Sequence, residues 1–198
     1  MLNNLSKKIL FLGYGKEQTI LIDELIKVGC EVDWTEDKHF SASGYDLIIS
    51  FGYRHIIKKE VISTLNLPII NLHISYLPWN KGAHPNFWSF YDCTPAGITI
   101  HLIDEGIDTG PILYQRYVNF EENELTFKQT YDRLIKEIEE LFIAKINNLI
   151  TGNYTPKKQR REGSYHKNSE LPKAFRGWNS NIEEEVRYLD EILKQGKI

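Results

Sequence analysis

Cysteine is almost missing from this chain: Cys30 and Cys93 are the only two in 198 residues. Two thiols cannot build a disulfide framework, so the fold must rest on its apolar core, as expected in a reducing compartment. Long apolar runs are missing too. No stretch of about 18 apolar residues occurs, and the N-terminal "MLNNLSKKILFLG" lacks the apolar segment of a secretory signal. A cytoplasmic protein with no membrane partner is therefore expected. An excess of positive charge is also lacking, with 24 Lys and Arg against 27 Asp and Glu, a net charge of -3. No overall field gathers polyanions, so a nucleic-acid partner is not expected and a small molecule is. Close-spaced His or Cys clusters are absent, so no metal is expected. With 41% hydrophobic residues, the chain has apolar material for one ordinary domain and a small appendage.

What is present alternates strands with helices. "KKILFLG" is a short apolar run ending at Gly13, and "EQTILIDELIKVG" carries Leu21, Leu25 and Val28 at helical spacing before Gly29. "CEVDWTE", "YDLIISFG" and "PIINLHI" read as further strands, with "IIKKEVISTL" as a helix between the last two. Apolar runs without a polar face, separated by helices, predict an α/β fold: a doubly wound, Rossmann-like, mostly parallel sheet with helices on both faces. From Ala96 the texture changes. "AGITIHLID" alternates and "PILYQRYVNF" follows closely, predicting a mixed edge. The longest helix starts at a capping box of Thr126 and Gln129, buries Leu134, Ile138, Leu141 and Phe142, and stops at Gly152. Residues 1–152 are thus expected to form the main domain, and 153–198 a basic, turn-rich arm with a short helix around 181–194, packed on that domain.

The stretch "NLHISYLPWNKGAHPNFW", residues 71–88, carries the chemistry. Asn71 and His73 alternate with Leu72, so they share one face at the carboxyl end of a parallel strand, where open sheets bind ligands. An amide donor then stands beside a group that exchanges protons near neutral pH. The imidazole needs a carboxylate to orient it, and "HLIDEGIDTGPI" offers Asp104 and Asp108, with Gly106 and Gly110 permitting tight bends. Asn, His and Asp suit acyl transfer through a tetrahedral oxyanion. His101, on an alternating strand, reads as a hydrogen-bonded structural or surface histidine. Gly13-Tyr14-Gly15 reads as a tight strand-to-helix turn rather than a phosphate cradle.

The N-x-H strand end, the "LPWNKG" loop and the "DEGIDTG" turn, with Asp108 35 positions after His73 (108 minus 73), together resemble the folate-dependent formyltransferase family, most closely its sugar N-formyltransferases. The resemblance implies a formyltransferase fold with Asn71, His73 and Asp108 as catalytic residues. It implies 10-formyltetrahydrofolate as co-substrate and an amine as acceptor. It also implies a pterin site along "FGYRHII", with Gly52, Tyr53, Ile56 and Ile57 as its walls, closed over by the turn of Asp104 and Gly106.

The acceptor expected is a nucleotide-linked amino sugar. The residues after Gly15 match poorly with the phosphate loop of glycinamide ribonucleotide enzymes, while "LPWNKGAHPNFW" with "EGSYHKNSEL" looks like sugar enzymes. Methionyl-tRNA enzymes are expected to add a C-terminal barrel and a basic surface. Tyr14, Ser75, Trp79, Lys81 and His84 are the candidate acceptor contacts, with aromatic faces for a ring and Lys81 for a phosphate. The alternatives are a glycinamide ribonucleotide-type transferase, a formyltetrahydrofolate hydrolase, which carries an extra N-terminal domain, and a non-catalytic nucleotide-binding module. The edge strand and the arm offer surfaces for a homodimer.

Overall fold

The computed structural model describes residues 6–123, 125–159 and 162–194. In chain order its elements are β1 (Lys8–Gly13), α1 (Leu21–Lys27), β2 (Glu31–Thr35), β3 (Leu47–Phe51), α2 (Lys59–Thr64), β4 (Ile69–His73), β5 (Lys81–Gly82), α3 (Pro85–Tyr91), β6 (Gly97–Leu102), β7 (Ile112–Tyr117), α4 (Phe127–Thr151), β8 (Tyr165–His166) and α5 (Ile182–Lys194). Six strands form a sheet in the order β2-β1-β3-β4-β6-β7. The first four are parallel, with Ile9 beside Leu47 and Ile48 beside Ile69. The Ile103 N–H donates to the Ile69 carbonyl and the Leu102 N–H to that of Pro111, so β6 runs against both its neighbours. The sheet is mixed and mostly parallel, as the change of texture at Ala96 predicts.

By contacts the chain divides into two units: Met1–His73 with Ile100–Tyr114 and Ile138–Gln159, and Ile74–Thr99 with Gln115–Glu137 and Arg160–Ile198. In the first unit, β1 and β3 are buried on both faces, Ile9, Phe11, Leu12, Ile48 and Ile49 being 0% exposed. That double burial is why these strands read as continuous apolar runs. Leu10, Leu12, Ile48 and Ile69 form one cluster, covered by partly buried groups that include Tyr53, Ile57 and Ile103. Burial of this kind contributes roughly 25 cal/mol per Å² of apolar area.

The second unit has an aromatic core. Phe87, Trp88, Phe127 and Leu189 are buried together under Phe175, Ile182 and Tyr188. The helix α3 forms where the sequence pattern assigns no element: Pro85 occupies its first turn, where the missing N–H costs no hydrogen bond. In the same unit the arm pairs with the loop before α3, Lys81 beside Tyr165 and Gly82 beside His166. Asn80, fully buried, donates to Thr94 Oγ1 at 2.8 Å and accepts from Ser164 Oγ at 2.9 Å. His166 stacks on Trp88 with centroids 3.9 Å apart.

The helix α4 buries Leu134, Ile138 and Phe142, as predicted, and continues the stripe through Ile146 and Leu149. Leu141 lies at its margin, only half-buried. The capping box forms: the Thr126 N–H donates to Gln129 Oε1 at 3.0 Å and the Gln129 N–H to Thr126 Oγ1 at 3.2 Å. Of the basic run at residues 157–161, Lys157 bridges to Ile112, while Arg160 and Arg161 lie outside the described residues. No helix among the described residues is long and apolar enough to cross a membrane.

Candidate active site

Strand alternation puts Asn71 and His73 on one side of β4, and the antiparallel pairing of β6 brings His101 and the turn after it alongside. Asp108 stands at the centre of the resulting cluster, all within the first unit. Its Oδ2 is 3.7 Å from His73 Nδ1 and its Oδ1 is 3.4 Å from His101 Nε2. The Asn71 amide nitrogen lies 3.3 Å from Asp108 Oδ1 and 3.2 Å from His101 Nε2. His73 is 7% and His101 1% exposed, so the charges interact in a medium less screening than water.

The partners decide the proton positions. His101 Nδ1 is 2.8 Å from the Leu102 carbonyl, which can only accept, so Nδ1 carries the hydrogen. In the neutral ring Nε2 then accepts from Asn71; in the cation it donates to Asp108. Asn71 likewise must turn its NH2 inward, because its carbonyl oxygen would face a carboxylate. Asp108 Oδ2 faces His73 Nδ1, which leaves Nε2 as the ring nitrogen away from the carboxylate. His101 is therefore part of this cluster, hydrogen-bonded as its alternating strand predicts and buried rather than at the surface. Only the pairing of β4 with β6 reveals it.

The turn is held by two further groups. Asp104 Oδ1 accepts from the Gly106 N–H at 3.0 Å and from Thr109 Oγ1 at 2.6 Å, which fixes the outer part. Asp108 itself is left-handed, with φ 52°, a conformation that costs a residue with a Cβ about 1–2 kcal/mol. Gln159 holds it there, donating from Nε2 to the carbonyls of Asp108 and Gly110 at 2.9 Å each. No local signal marks Gln159, which lies 51 positions from Asp108.

The other candidates are placed as follows. Gly52 has φ 68° and sits under Tyr14, whose ring would lie 2.3 Å from an added Cβ, so only glycine fits. Tyr14 packs edge-on against Phe51. Tyr53 leans toward the loop after β2, its hydroxyl donating to the Asp37 carbonyl at 2.7 Å. Burial, with the Asp37 charge, raises its pKa. Ile57 is half-buried and Ile56 is 75% exposed.

In the second unit, Ser75 is buried and donates to the Trp79 carbonyl at 2.8 Å, while Trp79 and Lys81 are half-buried. His84 is left-handed, with its Nε2 2.9 Å from Asn168 Oδ1, and burial lowers its pKa. Among the described residues no group of His, Cys, Asp or Glu is placed to hold a metal ion.

A mostly parallel α/β sheet with Asn71 and His73 on β4 and Asp108 in the turn after β6 brings together the residue types that acyl-type group transfer uses. The particular family follows from comparison: residues 25–146, more than half of the chain, match the formyl transferase family model, and the chain belongs to that family. Its relatives include a methionyl-tRNA formyltransferase of Clostridium tetani, 33% identical over 71% of this chain and 45% of the relative. A dTDP-4-amino-4,6-dideoxyglucose formyltransferase of Mycobacterium bovis is 32% identical over 74% of this chain and 56% of the relative. The chain thus spans about half the length of the curated relatives it matches. Among solved structures, the formyltransferase PseJ of Anoxybacillus kamchatkensis, in complex with UDP-4,6-dideoxy-4-formamido-L-AltNAc and tetrahydrofolate, is 42% identical. The alignment covers 89% of this chain and 96% of that one, with a TM-score of 0.81.

Proposed function

We propose that this protein is an N-formyltransferase that moves the formyl group of 10-formyltetrahydrofolate to the amine of a nucleotide-linked amino sugar. The observation that carries the reading is the cluster itself, one carboxylate flanked by two imidazoles and an amide. The likeness to a sugar nucleotide formyltransferase over nearly its whole length supports the choice of acceptor.

In the first step the neutral amine nitrogen attacks the formyl carbon, and the carbonyl electron pair moves to oxygen. Asn71 donates to that oxyanion; its bonds to Asp108 and His101, at 3.2–3.3 Å, are long and exchange at little cost. His73 Nε2 takes the proton released by the amine, and Asp108 stabilises the imidazolium. The same proton passes to N10 of the folate as the carbon–N10 bond breaks, giving a formamide and tetrahydrofolate. The folate supplies the activated formyl group; the protein supplies orientation, proton transfer and charge complementarity. The pterin lies along Gly52, Tyr53, Ile56 and Ile57, beneath the turn of Asp104 and Gly106. In the first unit Tyr14 borders the acceptor.

The test is tetrahydrofolate release from 10-formyltetrahydrofolate, with and without a panel of amino sugar nucleotides. Release that requires one of these acceptors is the expected outcome. Acceptor-independent release would instead mean a hydrolase, and no release from the folded protein would mean a binding module.

A further inference from the structure

Resting on that reading, we infer that a cavity of about 370 Å³ beyond β1, β2 and β3 receives the nucleoside diphosphate of the acceptor, and that side chains rather than a glycine-rich loop recognise it. The cavity is lined from three parallel strand ends: Gly13 and Tyr14 at the end of β1, Glu36 to Lys38 after β2, and Gly52 to His55 after β3, so that Gly52 and Tyr53 border both this cavity and the proposed pterin strip. In the sheet order β2-β1-β3, β1 and β3 are the pair from which the connections leave in opposite directions. The crevice outside such a pair is where open α/β sheets bind ligands. Its volume falls within the roughly 300–1,000 Å³ of small-molecule sites.

The floor is built and fixed. The Tyr14 N–H donates to the Phe51 carbonyl at 2.8 Å, Trp34 Nε1 to the Gly13 carbonyl at 2.8 Å, and the Gly15 N–H to Gln18 Oε1 at 3.2 Å. The first and third of these bonds occupy the Tyr14 and Gly15 N–H groups, backbone donors that a phosphate-cradling turn would have to offer, and the second fixes the Gly13 carbonyl. The rim is the opposite. Lys38 and Arg54 are exposed, line the same cavity as Glu36 and Asp37, and form no ion pair with them or with any other carboxylate among the described residues.

Cations and carboxylates kept apart around one crevice fit a bipolar ligand. Arg54 and Lys38 meet phosphate oxygens, the guanidinium in a forked geometry. Glu36 stands about twenty residues past the Gly-Tyr-Gly turn, the place from which an acidic residue reaches ribose hydroxyls in nucleotide-binding sheets.

The experiment is titration of the full chain with UDP, uridine and inorganic pyrophosphate by calorimetry, for wild type, Arg54→Ala, Lys38→Ala and the double variant. Steady-state KM values for the acceptor and for 10-formyltetrahydrofolate are measured alongside. Each substitution is expected to weaken UDP binding about tenfold, and the pair about 100-fold, with the acceptor KM rising in step and the folate KM holding. Glu36→Gln is expected to narrow the preference for UDP over 2′-deoxy-UDP. Pyrophosphate binding as tightly as UDP would reduce the site to an anion site and overturn the nucleotide assignment. So would UDP affinity unchanged within twofold in the double variant, or a rise confined to the folate KM.

The two readings fail separately. UDP binding lost in the double variant, with no acceptor-dependent turnover in wild type, would keep the cavity and sink the transfer. Acceptor-dependent turnover with an unaltered acceptor KM in the double variant would do the reverse.

Discussion

Two turns of the first unit take the left-handed backbone, and they are made by opposite means. The turn after β1 takes its left-handed backbone at Gly13, φ 107°, where glycine adopts it without steric cost. The turn after β6 takes the same region at Asp108, φ 52°, where every other consideration favours glycine. Its carboxylate faces His73 and His101, and the strained backbone is held by Gln159 and by the brace of Asp104. Backbone strain held by surrounding bonds is characteristic of functional sites. The contrast is between a turn whose backbone suits its residue and one whose backbone is held against its residue's preference.

The sharpest way to break the contrast is Asp108→Gly. Turnover is expected to fall by about 100- to 1000-fold, as when one charge-stabilising group is removed from comparable sites, while stability in urea stays level or rises by up to about 1 kcal/mol. A clear loss of stability would show that the carboxylate holds the fold rather than the reaction. Asn71→Ala and His73→Ala are expected to match that loss of kcat with the folate affinity largely kept, read by single-turnover kinetics.

Next in size is Gly13→Ala. An added Cβ meets the Phe51 carbonyl oxygen at 2.2 Å, so a loss of about 2–3 kcal/mol of stability is expected, measured from the denaturation midpoint.

Gln159→Glu tests the brace without altering its length. A carboxylate cannot donate to the two carbonyls, so kcat is expected to fall about tenfold, or about 1.4 kcal/mol, with KM values nearly constant. An equal change in KM would place Gln159 in binding rather than in positioning Asp108. The smallest effect is that of Trp34→Phe, which removes the hydrogen bond to Gly13 and is expected to cost about 1 kcal/mol of stability, read by thermal unfolding.

Much of this was legible because periodicity is a local property. The four parallel strands, the long helix with its capping box and the terminal helix all lie where apolar spacing and turn residues predict. The misses share a cause. α3 is short and begins at His-Pro, so its aromatic run has no room to show a helical period. β5 and β8 are two residues each and exist only through each other. His101 carries the same alternation as any half-buried strand residue, and Gln159 sits in a polar arm with nothing nearby to distinguish it.

The amino-acid order alone determined the α/β pattern, the motif pair at residues 71–88 and 101–110, and the residue types an acyl transfer needs, since each is written in neighbours a few positions apart. The tertiary structure alone decided that Asp108 is flanked by two histidines, that Gln159 holds it, and that the first glycine turn has its amides occupied. Those facts depend on which strands pair and where distant side chains land, and pairing across tens of residues is set by packing of the whole chain rather than by any local preference.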